Sequence, residues 1–197
     1  MLLLSGGIDS SALAVWKRPK LALTVDYGQR CFPGELRAAR QVAAFLGLEH
    51  EVVRSDMARF GSGDMDGSPP AECAPVNEWW PFRNQLLITM AAVVAIKRAC
   101  SEVMIGCVDG DGRHVDGSPP FIEAIDGLVG MQEGQVRVTA PSIGLSTLEL
   151  LKASRPPNNV LRAMFSCHRA EYACGVCAGC RKAIATLTSF ESLGSPA

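Results

Sequence analysis

The sequence predicts an α/β fold in which five parallel strands form one doubly wound sheet, followed by a C-terminal knuckle of four cysteines. Short apolar runs alternate with stretches of helical periodicity as far as about Ser154, a pattern typical of a parallel sheet with helices on both faces. A glycine-rich turn directly follows the first apolar run. Beyond Ser154 the alternation stops, and four cysteines lie within a short part of the tail.

Each predicted strand is a short apolar run bounded by turn-forming residues. The five runs are residues 1–4, 20–25, 49–53, 102–107 and 136–140. Between them, residues 10–17, 35–46, 83–100 and 120–129 show apolar positions at helical spacing. Gly47, directly after the second of these helices, is typical of a helix C-cap. Ligands of such sheets bind beyond the carboxyl ends of the strands, so we expect the functional site at that edge.

The segment of residues 55–81 is rich in Gly, Pro, Asp and Ser, and the sequence predicts no helix or strand in it. Loops of this length are uncommon in compact domains, so we predict either a functional flap or a mobile stretch. Trp79 and Trp80 stand near its end. Two roles are open for these tryptophans, stacking on a bound base and packing in the core.

The charge balance limits the partners that the protein attracts. Its 197 residues include 19 basic and 20 acidic side chains, for a formal net charge of -1. This balance gives no general attraction to nucleic acid or to a membrane surface, so we expect neither as a direct partner. The opening apolar run is too short for the core of a signal peptide, and no run approaches the length of a membrane span. We therefore expect a cytoplasmic protein.

The string SGGIDSS, which links the first predicted strand to the first helix, has the properties of a phosphate-binding loop. Gly6 and Gly7 permit a positive φ and a close approach of ligand to backbone, and amides in such a turn form an anion-binding nest. The helix that follows offers free N–H groups and the positive end of its dipole. Ser5 and Ser10 add hydroxyl donors, and Asp9 can cap the helix or help to place a metal ion. The alternative is a tight turn with an N-cap and no ligand.

The complete string is more specific than its glycines. SGGIDS resembles the SGGxDS signature of the PP-loop ATP pyrophosphatases, which cleave ATP between the α and β phosphates and adenylate a substrate. The chain has neither the GKS or GKT of a Walker loop nor the GxGxxG spacing of a dinucleotide fold. The resemblance implies ATP and Mg²⁺ as cofactors, with Asp9 and Ser10 as catalytic residues. The residues expected to bind ATP are Leu4, Ser5, Gly6, Gly7, Ile8, Asp9, Ser10, Val25 and Asp26.

The four clustered cysteines follow the pattern C-x6-C-x2-C-x2-C and are Cys167, Cys174, Cys177 and Cys180. In a chain without an export signal, such clustering indicates metal ligands rather than disulfides. Four thiolates with no open position suit a structural, tetrahedral Zn²⁺. Neighbouring cations would reduce the negative charge of the site; they are Arg169, Arg181 and Lys182. Two alternatives are an iron–sulfur ligand set with the same C-x2-C-x2-C skeleton and free or redox-active thiols.

Several further short matches, in order, extend over nearly the whole chain. They are DYGQR at residues 26–30, PFRN at 81–84, IG at 105–106, FIEA at 121–124, AP at 140–141, and SC followed by CGVCAGC at 166–180. With SGGIDS, these strings resemble the 7-cyano-7-deazaguanine synthase (QueC) family of the queuosine pathway. The resemblance implies a PP-loop nucleotide-binding α/β domain over residues 1–153. Residues 154–197 would be a helical, zinc-knuckle segment packed on that domain as one compact unit.

The resemblance also implies an activity, that of an ATP-dependent C–N ligase. In this family ATP adenylates the carboxylate of 7-carboxy-7-deazaguanine, ammonia displaces AMP to give an amide, and a second activation dehydrates the amide to a nitrile. A homodimer is implied as well. Arg83 is expected to be catalytic, and the substrate-binding residues are expected to be Tyr27, Gln29, Phe82, Arg83, Asn84, Asp111 and Asp116. The alternative for Arg83 and Asn84 is helix capping and a surface salt bridge.

Two departures from the family pattern bear on this activity. Where the family reads D-x-S-G-Y-P-D, residues 109–116 keep Asp111 and Asp116 but have no tyrosine. Where the family reads LSKAE, Thr147 occupies the lysine position, and Lys152 points elsewhere if this segment is helical. The changed segment and the stretch of residues 55–81 favour a second interpretation: a divergent relative, as in antiviral-defence operons, that uses a deazaguanine to modify or bind a protein, with a protein amine as acceptor. A non-catalytic zinc scaffold is a further alternative, whereas the near-neutral charge disfavours a tRNA-thiolating enzyme.

Overall fold

The computed structural model describes residues 1–109 and 114–194. A single sheet of five parallel strands lies at its centre, in the order β3-β2-β1-β4-β5. The strands are β1 (Leu2–Leu3), β2 (Leu21–Asp26), β3 (Glu49–Arg54), β4 (Glu102–Met104) and β5 (Arg137–Thr139). The predicted α/β class and the parallel five-stranded sheet are therefore confirmed.

Seven α-helices accompany this sheet in the described residues. They are α1 (Ile8–Lys17), α2 (Phe32–Leu46), α3 (Arg83–Lys97), α4 (Pro119–Gly130), α5 (Thr147–Ser154), α6 (Asn158–Ala163) and α7 (Ala178–Gly194). Among the described helices, none is both long enough and apolar enough to span a membrane. The helix predicted over residues 83–100 ends earlier, at Lys97, and Ala99 beyond it adopts a positive φ of 49°.

Strand β1 lies at the point where the order of the strands reverses. Leu2 is in register with Ala22 of β2 on one side and with Met104 of β4 on the other. The chain therefore builds β2 and β3 on one side of β1 and then crosses over to build β4 and β5 on the other. In doubly wound sheets, a crevice opens beyond the carboxyl ends of the strands at this switch point.

Both faces of the sheet are covered, as the apolar character of the strands requires. Because successive strand residues point to opposite faces, Leu2 and Leu4 belong to a buried cluster with α1, α2 and α6. Leu3 belongs to a second buried cluster, on the side of α3 and α4. A third cluster joins α1 to α5 through Ile8 and Leu151, with Leu187 and other apolar residues of α7 packed against it. This third cluster attaches the C-terminal helix to the helix that follows the glycine-rich loop.

The segment of residues 55–81 contains more structure than the sequence predicts. Two short 3-10 helices, Ala58–Phe60 and Gly63–Met65, lie within it, so the prediction of no helical element is wrong there. Trp80 is only 2% exposed, and its ring meets that of Tyr27 edge-on, with centroids 4.9 Å apart. Of the two roles considered for Trp80, the structure supports core packing.

Gly6 tests how closely the glycine-rich loop is packed. Its φ is +79°, and a Cβ built at Gly6 would lie 2.6 Å from the Cβ of Ala38 and 2.7 Å from the backbone N of Ala39, both in α2. Gly47 has a similar φ of +66°, but a Cβ there would meet nothing within 4 Å. We therefore expect Gly47→Ala to lower the free energy of unfolding by about 1–2 kcal/mol from backbone strain alone. Gly6→Ala adds a steric conflict, and its total loss should be about 2–5 kcal/mol.

Urea unfolding of the two variants measures this difference directly, since Gly47→Ala is the matched control for the strain of a positive φ. Equal losses in the two variants would contradict the close packing of the loop on α2.

Candidate functional site

A cavity of about 690 Å³ opens at the carboxyl edge of the sheet, a volume within the range of small-molecule sites. Its wall combines the loop after β1, the residues that follow β2 and β4, and the first turns of α1, α3 and α7. The cavity thus lies at the switch point, as the fold class predicts.

The loop after β1 forms one end of this cavity. Gly7 is the N-cap residue of α1 and provides no side-chain cap, so the amino terminus of α1 is left for a ligand. The hydroxyls of Ser5 and Ser10 lie 3.1 Å apart, and the N–H of Gly7 donates to the Ser5 hydroxyl at 3.3 Å. Backbone donors and hydroxyls therefore converge where the sequence predicts a phosphate site.

Most of the residues predicted to bind ATP line the cavity, and two lie outside its wall. Those on the cavity wall are Leu4, Ser5, Gly7, Ile8, Asp9, Ser10 and Val25. Gly6 instead packs against α2. Asp26 forms an ion pair with Arg54, with 3.3 Å between the Asp26 Oδ2 and the Arg54 Nε, and its other oxygen accepts from the N–H of Gly28. Both residues support the loop and the end of β2 from outside the cavity wall.

Asp9 makes a contact that connects the two ends of the chain. Its Oδ2 lies 3.3 Å from the Nζ of Lys182, in α7. The two side chains are partly shielded, 21% exposed for Asp9 and 35% for Lys182. Gly179, one turn earlier in α7, lets the start of this helix pack closely on Ser166, because a Cβ there would lie 2.0 Å from the Ser166 carbonyl oxygen.

The other end of the cavity is a polar recess formed by Tyr27, Gln29, Glu35 and Arg83. The side-chain amide of Gln29 donates to Glu35 Oε2 at 2.8 Å, and its oxygen accepts from the N–H of Tyr27 at 2.9 Å. Burial raises the pKa of Glu35 and of Tyr27. Burial alone would lower the pKa of Arg83, but the nearby Tyr27, Asp116 and Glu35 raise it overall. The recess therefore holds a fixed positive charge beside a carboxyl group whose ionisation burial opposes.

The remaining predicted substrate residues differ in their positions. Asn84 lines the cavity, and its backbone N–H donates to Asp116 Oδ2 at 3.1 Å while its side chain donates to the Asp116 carbonyl at 3.0 Å. Asp116 therefore caps the first turn of α3. Helix capping was the alternative for Arg83 and Asn84, and here the capping oxygens come from Asp116. Arg83 lies in the cavity wall rather than in a surface salt bridge. Phe82 is 76% exposed and outside the wall, and Asp111 lies outside the described residues.

The raised pKa of Glu35 leads to a prediction about pH. The folded state holds this proton more tightly than the unfolded state, so the contribution of Glu35 to stability is greatest below its unfolded pKa of about 4.3. That contribution is lost as the pH rises through the folded-state pKa. Glu35→Gln, which cannot ionise, should therefore gain stability relative to wild type as the pH rises above about 4.3 and through the raised folded-state pKa.

Urea unfolding of both proteins at several pH values checks this. Glu123→Gln, at an exposed position of α4, controls for the loss of one carboxylate. If the stability difference between Glu35→Gln and wild type stays constant with pH, the electrostatic account of the recess is wrong.

The four cysteines form a compact cluster beside the cavity. Their sulfur atoms all lie within 4.8 Å of one another; those of Cys174 and Cys180 are 3.9 Å apart, and those of Cys167 and Cys177 are 4.0 Å apart. A tetrahedral zinc with Zn–S bonds of about 2.3 Å places its sulfurs roughly 3.8 Å apart. The cluster therefore fits a tetrahedral metal ion.

Backbone amides donate to sulfur atoms of the cluster and favour the thiolate, the form that binds metal, at Cys174, whereas burial raises the pKa of the Cys180 thiol to about 12. The N–H of His168 and the N–H of Cys180 both point to the sulfur of Cys177, at 3.5 and 3.4 Å. Hydrogen bonds from the backbone of Val176 and Cys177 lower the pKa of the Cys174 thiol to about 6. Cys167 and His168 also line the cavity, so the cluster supports part of its wall.

Several residues of the cavity wall were not among the predicted site residues. They are Glu35, Glu78, Asp109, His114, His168 and Lys182. The sequence placed Glu35 only as the start of a helix and assigned Lys182 to the charge balance of the metal site. Lys182 could have been suspected from its position two residues after the last cysteine, since a metal ligand fixes the backbone near it.

Comparison with known proteins gives consistent matches over the chain. Residues 1–191 match the family model described as "Queuosine biosynthesis protein QueC". The 7-cyano-7-deazaguanine synthase of Cupriavidus necator is 32% identical over 221 residues, which cover 100% of this chain and 94% of the relative. That of Thiobacillus denitrificans is 34% identical, with 92% of this chain and 89% of the relative covered. The 7-cyano-7-deazaguanine synthase 1 of Desulfitobacterium hafniense is 28% identical, with coverage of 98% and 93%.

Proposed function

The chain belongs to the QueC family of queuosine biosynthesis proteins, and from this premise we propose that it is an ATP-dependent ligase of the 7-cyano-7-deazaguanine synthase type. Its substrate is 7-carboxy-7-deazaguanine, and its first step is adenylation of the substrate carboxylate. One observation carries the proposal: the open amino terminus of α1 and the polar recess with Arg83 lie in the same cavity. A site of this kind can hold a nucleoside triphosphate and an anionic base side by side.

In the first step, a carboxylate oxygen of the substrate attacks the α-phosphorus of ATP. The new C–O–P linkage forms as the bond from the α-phosphorus to the bridging oxygen breaks, and pyrophosphate leaves. An amine then attacks the acyl carbon, and AMP leaves to give the amide. A second adenylation, on the amide oxygen, allows loss of AMP and a proton to give the nitrile. Each activation replaces a poor leaving group by AMP, and its barrier depends on how well phosphate charge is stabilised.

The chain contributes groups to each part of this reaction. The amides of the loop and the hydroxyls of Ser5 and Ser10 bind phosphate oxygens. Carboxylates on the cavity wall, those of Asp9 and Asp109, are the oxygen ligands that Mg²⁺ prefers. When bound with ATP, this ion would supply positive charge to the phosphates.

The recess binds the deazaguanine. Arg83 pairs with its carboxylate, since a guanidinium recognises a carboxylate through two parallel hydrogen bonds. Tyr27, Gln29 and Asn84 line the space around the ring system. Asp116 acts indirectly, because its bonds to Asn84 fix the start of α3 and with it the position of Arg83. Phe82 is exposed and has no role in this arrangement.

The cysteine cluster holds a structural zinc ion. Four sulfur ligands complete a tetrahedron and leave no open position for substrate, so the metal does not take part in the chemistry. Its role is to fix residues 166–180, several of which form part of the cavity wall.

Ammonia is the acceptor amine in this proposal. A protein amine is the alternative, as in a divergent defence protein, and the altered segment of residues 109–116 is the observation that favours it. A homodimer, also implied by the family resemblance, stays a prediction that sedimentation can test.

The experiment that tests the proposal measures AMP and pyrophosphate released from ATP and Mg²⁺ with 7-carboxy-7-deazaguanine, with and without ammonia. We expect AMP release that depends on the substrate, and an amide or nitrile in the mass spectrum when ammonia is present. The same base without its carboxylate, 7-deazaguanine, is the control and should give no AMP. Release of AMP without an amide or nitrile would exclude ammonia as acceptor and support a protein amine. No AMP under either condition would contradict the adenylation.

A further inference from the structure

The cavity wall carries few positive charges, and they lie at opposite ends of the cavity. Among the described residues that line the cavity, Arg83 is the one arginine and Lys182 the one lysine. Arg83 belongs to the recess, where it meets the Met65 sulfur and is influenced by Tyr27, Asp116 and Glu35. Lys182 stands at the opposite end, beside the glycine-rich loop.

Lys182 is placed where phosphate charge would accumulate. Its Nζ lies 3.3 Å from the Oδ2 of Asp9, a residue of the first turn of α1. That turn carries the open N–H groups that would bind a phosphate chain. With 35% of its side chain exposed, Lys182 is partly withdrawn from solvent, and a charge in that position acts more strongly on a nearby anion than one on an open surface.

The position of Lys182 is fixed from two sides. Cys180, two residues earlier, belongs to the metal-binding cluster. Further along α7, Ala183, Leu187 and Phe190 pack against the cluster that joins α1 to α5. A long, flexible side chain thus starts from a backbone position that is held both by the cysteines and by apolar contacts. This is the support that a group acting on a transition state needs.

We propose that Lys182 is a catalytic residue of the adenylation and that its ammonium binds the pyrophosphate leaving group. The proposal rests on the proposed function of the same cavity. Before ATP binds, Asp9 holds the ammonium over the loop. As the bond from the α-phosphorus to the bridging oxygen breaks, negative charge grows on the departing pyrophosphate, and Lys182 stabilises it through charge-assisted hydrogen bonds. No proton transfer is required, and the pyrophosphate leaves with the bonding electron pair.

The test compares Lys182→Met and Lys182→Gln with Lys152→Met, which removes an exposed lysine of α5 that is not on the cavity wall. Calorimetry measures the binding of inorganic pyrophosphate and of AMP, each with Mg²⁺, and a steady-state assay measures AMP release. We expect both Lys182 variants to bind pyrophosphate at least about tenfold more weakly and AMP within about twofold of wild type. Their kcat/KM for ATP should fall about 100-fold. Lys152→Met should match wild type in pyrophosphate affinity, in AMP affinity and in kcat/KM for ATP. Lys182→Arg should recover most of the pyrophosphate affinity.

The outcomes separate this inference from the proposed function. Wild-type rates and pyrophosphate affinity in either Lys182 variant would overturn the inference while leaving the adenylation in place. An equal loss of AMP and pyrophosphate affinity would also overturn it, because a merely structural lysine would weaken both ligands. If wild type itself releases no AMP with 7-carboxy-7-deazaguanine, the proposed function fails, and the pyrophosphate titration still shows whether Lys182 binds the anion.

Discussion

Replacing Asp9 by asparagine is expected to lower ATP-dependent AMP release by about 1000-fold or more without unfolding the protein. Two effects add: the carboxylate that pairs with the Lys182 ammonium is lost, and so is the oxygen ligand proposed for Mg²⁺. Removal of one group that stabilises transition-state charge typically costs 100- to 1000-fold in rate. An acidic residue in the first turn of a helix contributes up to about 2 kcal/mol to stability when it is partly buried, so the variant should stay folded.

Asp56→Asn is the matched control, because Asp56 is exposed and outside the cavity wall. AMP formation is followed by chromatography, and thermal unfolding verifies the fold of each variant. Undiminished AMP release by Asp9→Asn would show that the loop after β1 is not the ATP site.

Replacing Cys177 by serine is expected to remove the metal, destabilise the C-terminal segment and abolish turnover. Cys177 is 1% exposed, and its sulfur accepts from two backbone N–H groups, so serine leaves an incomplete ligand set in a buried place. We expect metal content to fall from one zinc per chain to near zero. The free energy of unfolding should fall by about 4 kcal/mol, which corresponds to roughly 8–16 °C in Tm.

Activity should fall together with the metal, because α7 begins directly after Cys177 and carries Lys182 into the cavity. Cys73→Ser, which removes an exposed cysteine, should keep its zinc, its stability and its AMP release. Metal analysis, unfolding curves and the AMP assay are made on the same preparations. A metal-free Cys177→Ser that folds and turns over normally would contradict a structural zinc site.

The elements that the sequence predicts well are those determined by local pattern. Alternating apolar runs predict the parallel sheet because each strand is buried on both faces, and SGGIDSS predicts an open helix start because glycine at the N-cap gives no side-chain cap. The cysteine cluster follows from spacing, since Cys174, Cys177 and Cys180 are separated by single turns of backbone and Cys167 alone must be brought to them. Local rules suffice in these cases.

The features that the sequence could not predict depend on contacts between distant parts of the chain. Asp9 and Lys182 are separated by 173 positions, and no periodicity or motif connects them. Glu35 enters the recess only because α2 packs next to β2, which brings it to Gln29. The capping of α3 by Asp116 likewise joins two segments that are far apart in sequence.

Thr147 occupies the position of a lysine in the family motif. From the sequence alone, this replacement predicts a pyrophosphate site with one cation fewer, which should matter for ATP cleavage. In the structure Thr147 is the first residue of α5, is 5% exposed and lies outside the cavity wall. If Lys182 acts as proposed, the cation has moved to another helix, and the departure at position 147 does not imply loss of ATP cleavage.

Activation of the deazaguanine carboxylate as an acyl-adenylate transfers one carboxylate oxygen to AMP, and this transfer can be followed directly. The protein is incubated with ATP, Mg²⁺, ammonia and 7-carboxy-7-deazaguanine labelled with oxygen-18 in its carboxylate, and the products are analysed by mass spectrometry. The attacking oxygen stays on phosphorus when the amine displaces AMP, so we expect the label in AMP and none in pyrophosphate. Unlabelled AMP, or label in inorganic phosphate with release of ADP, would contradict adenylation of the carboxylate.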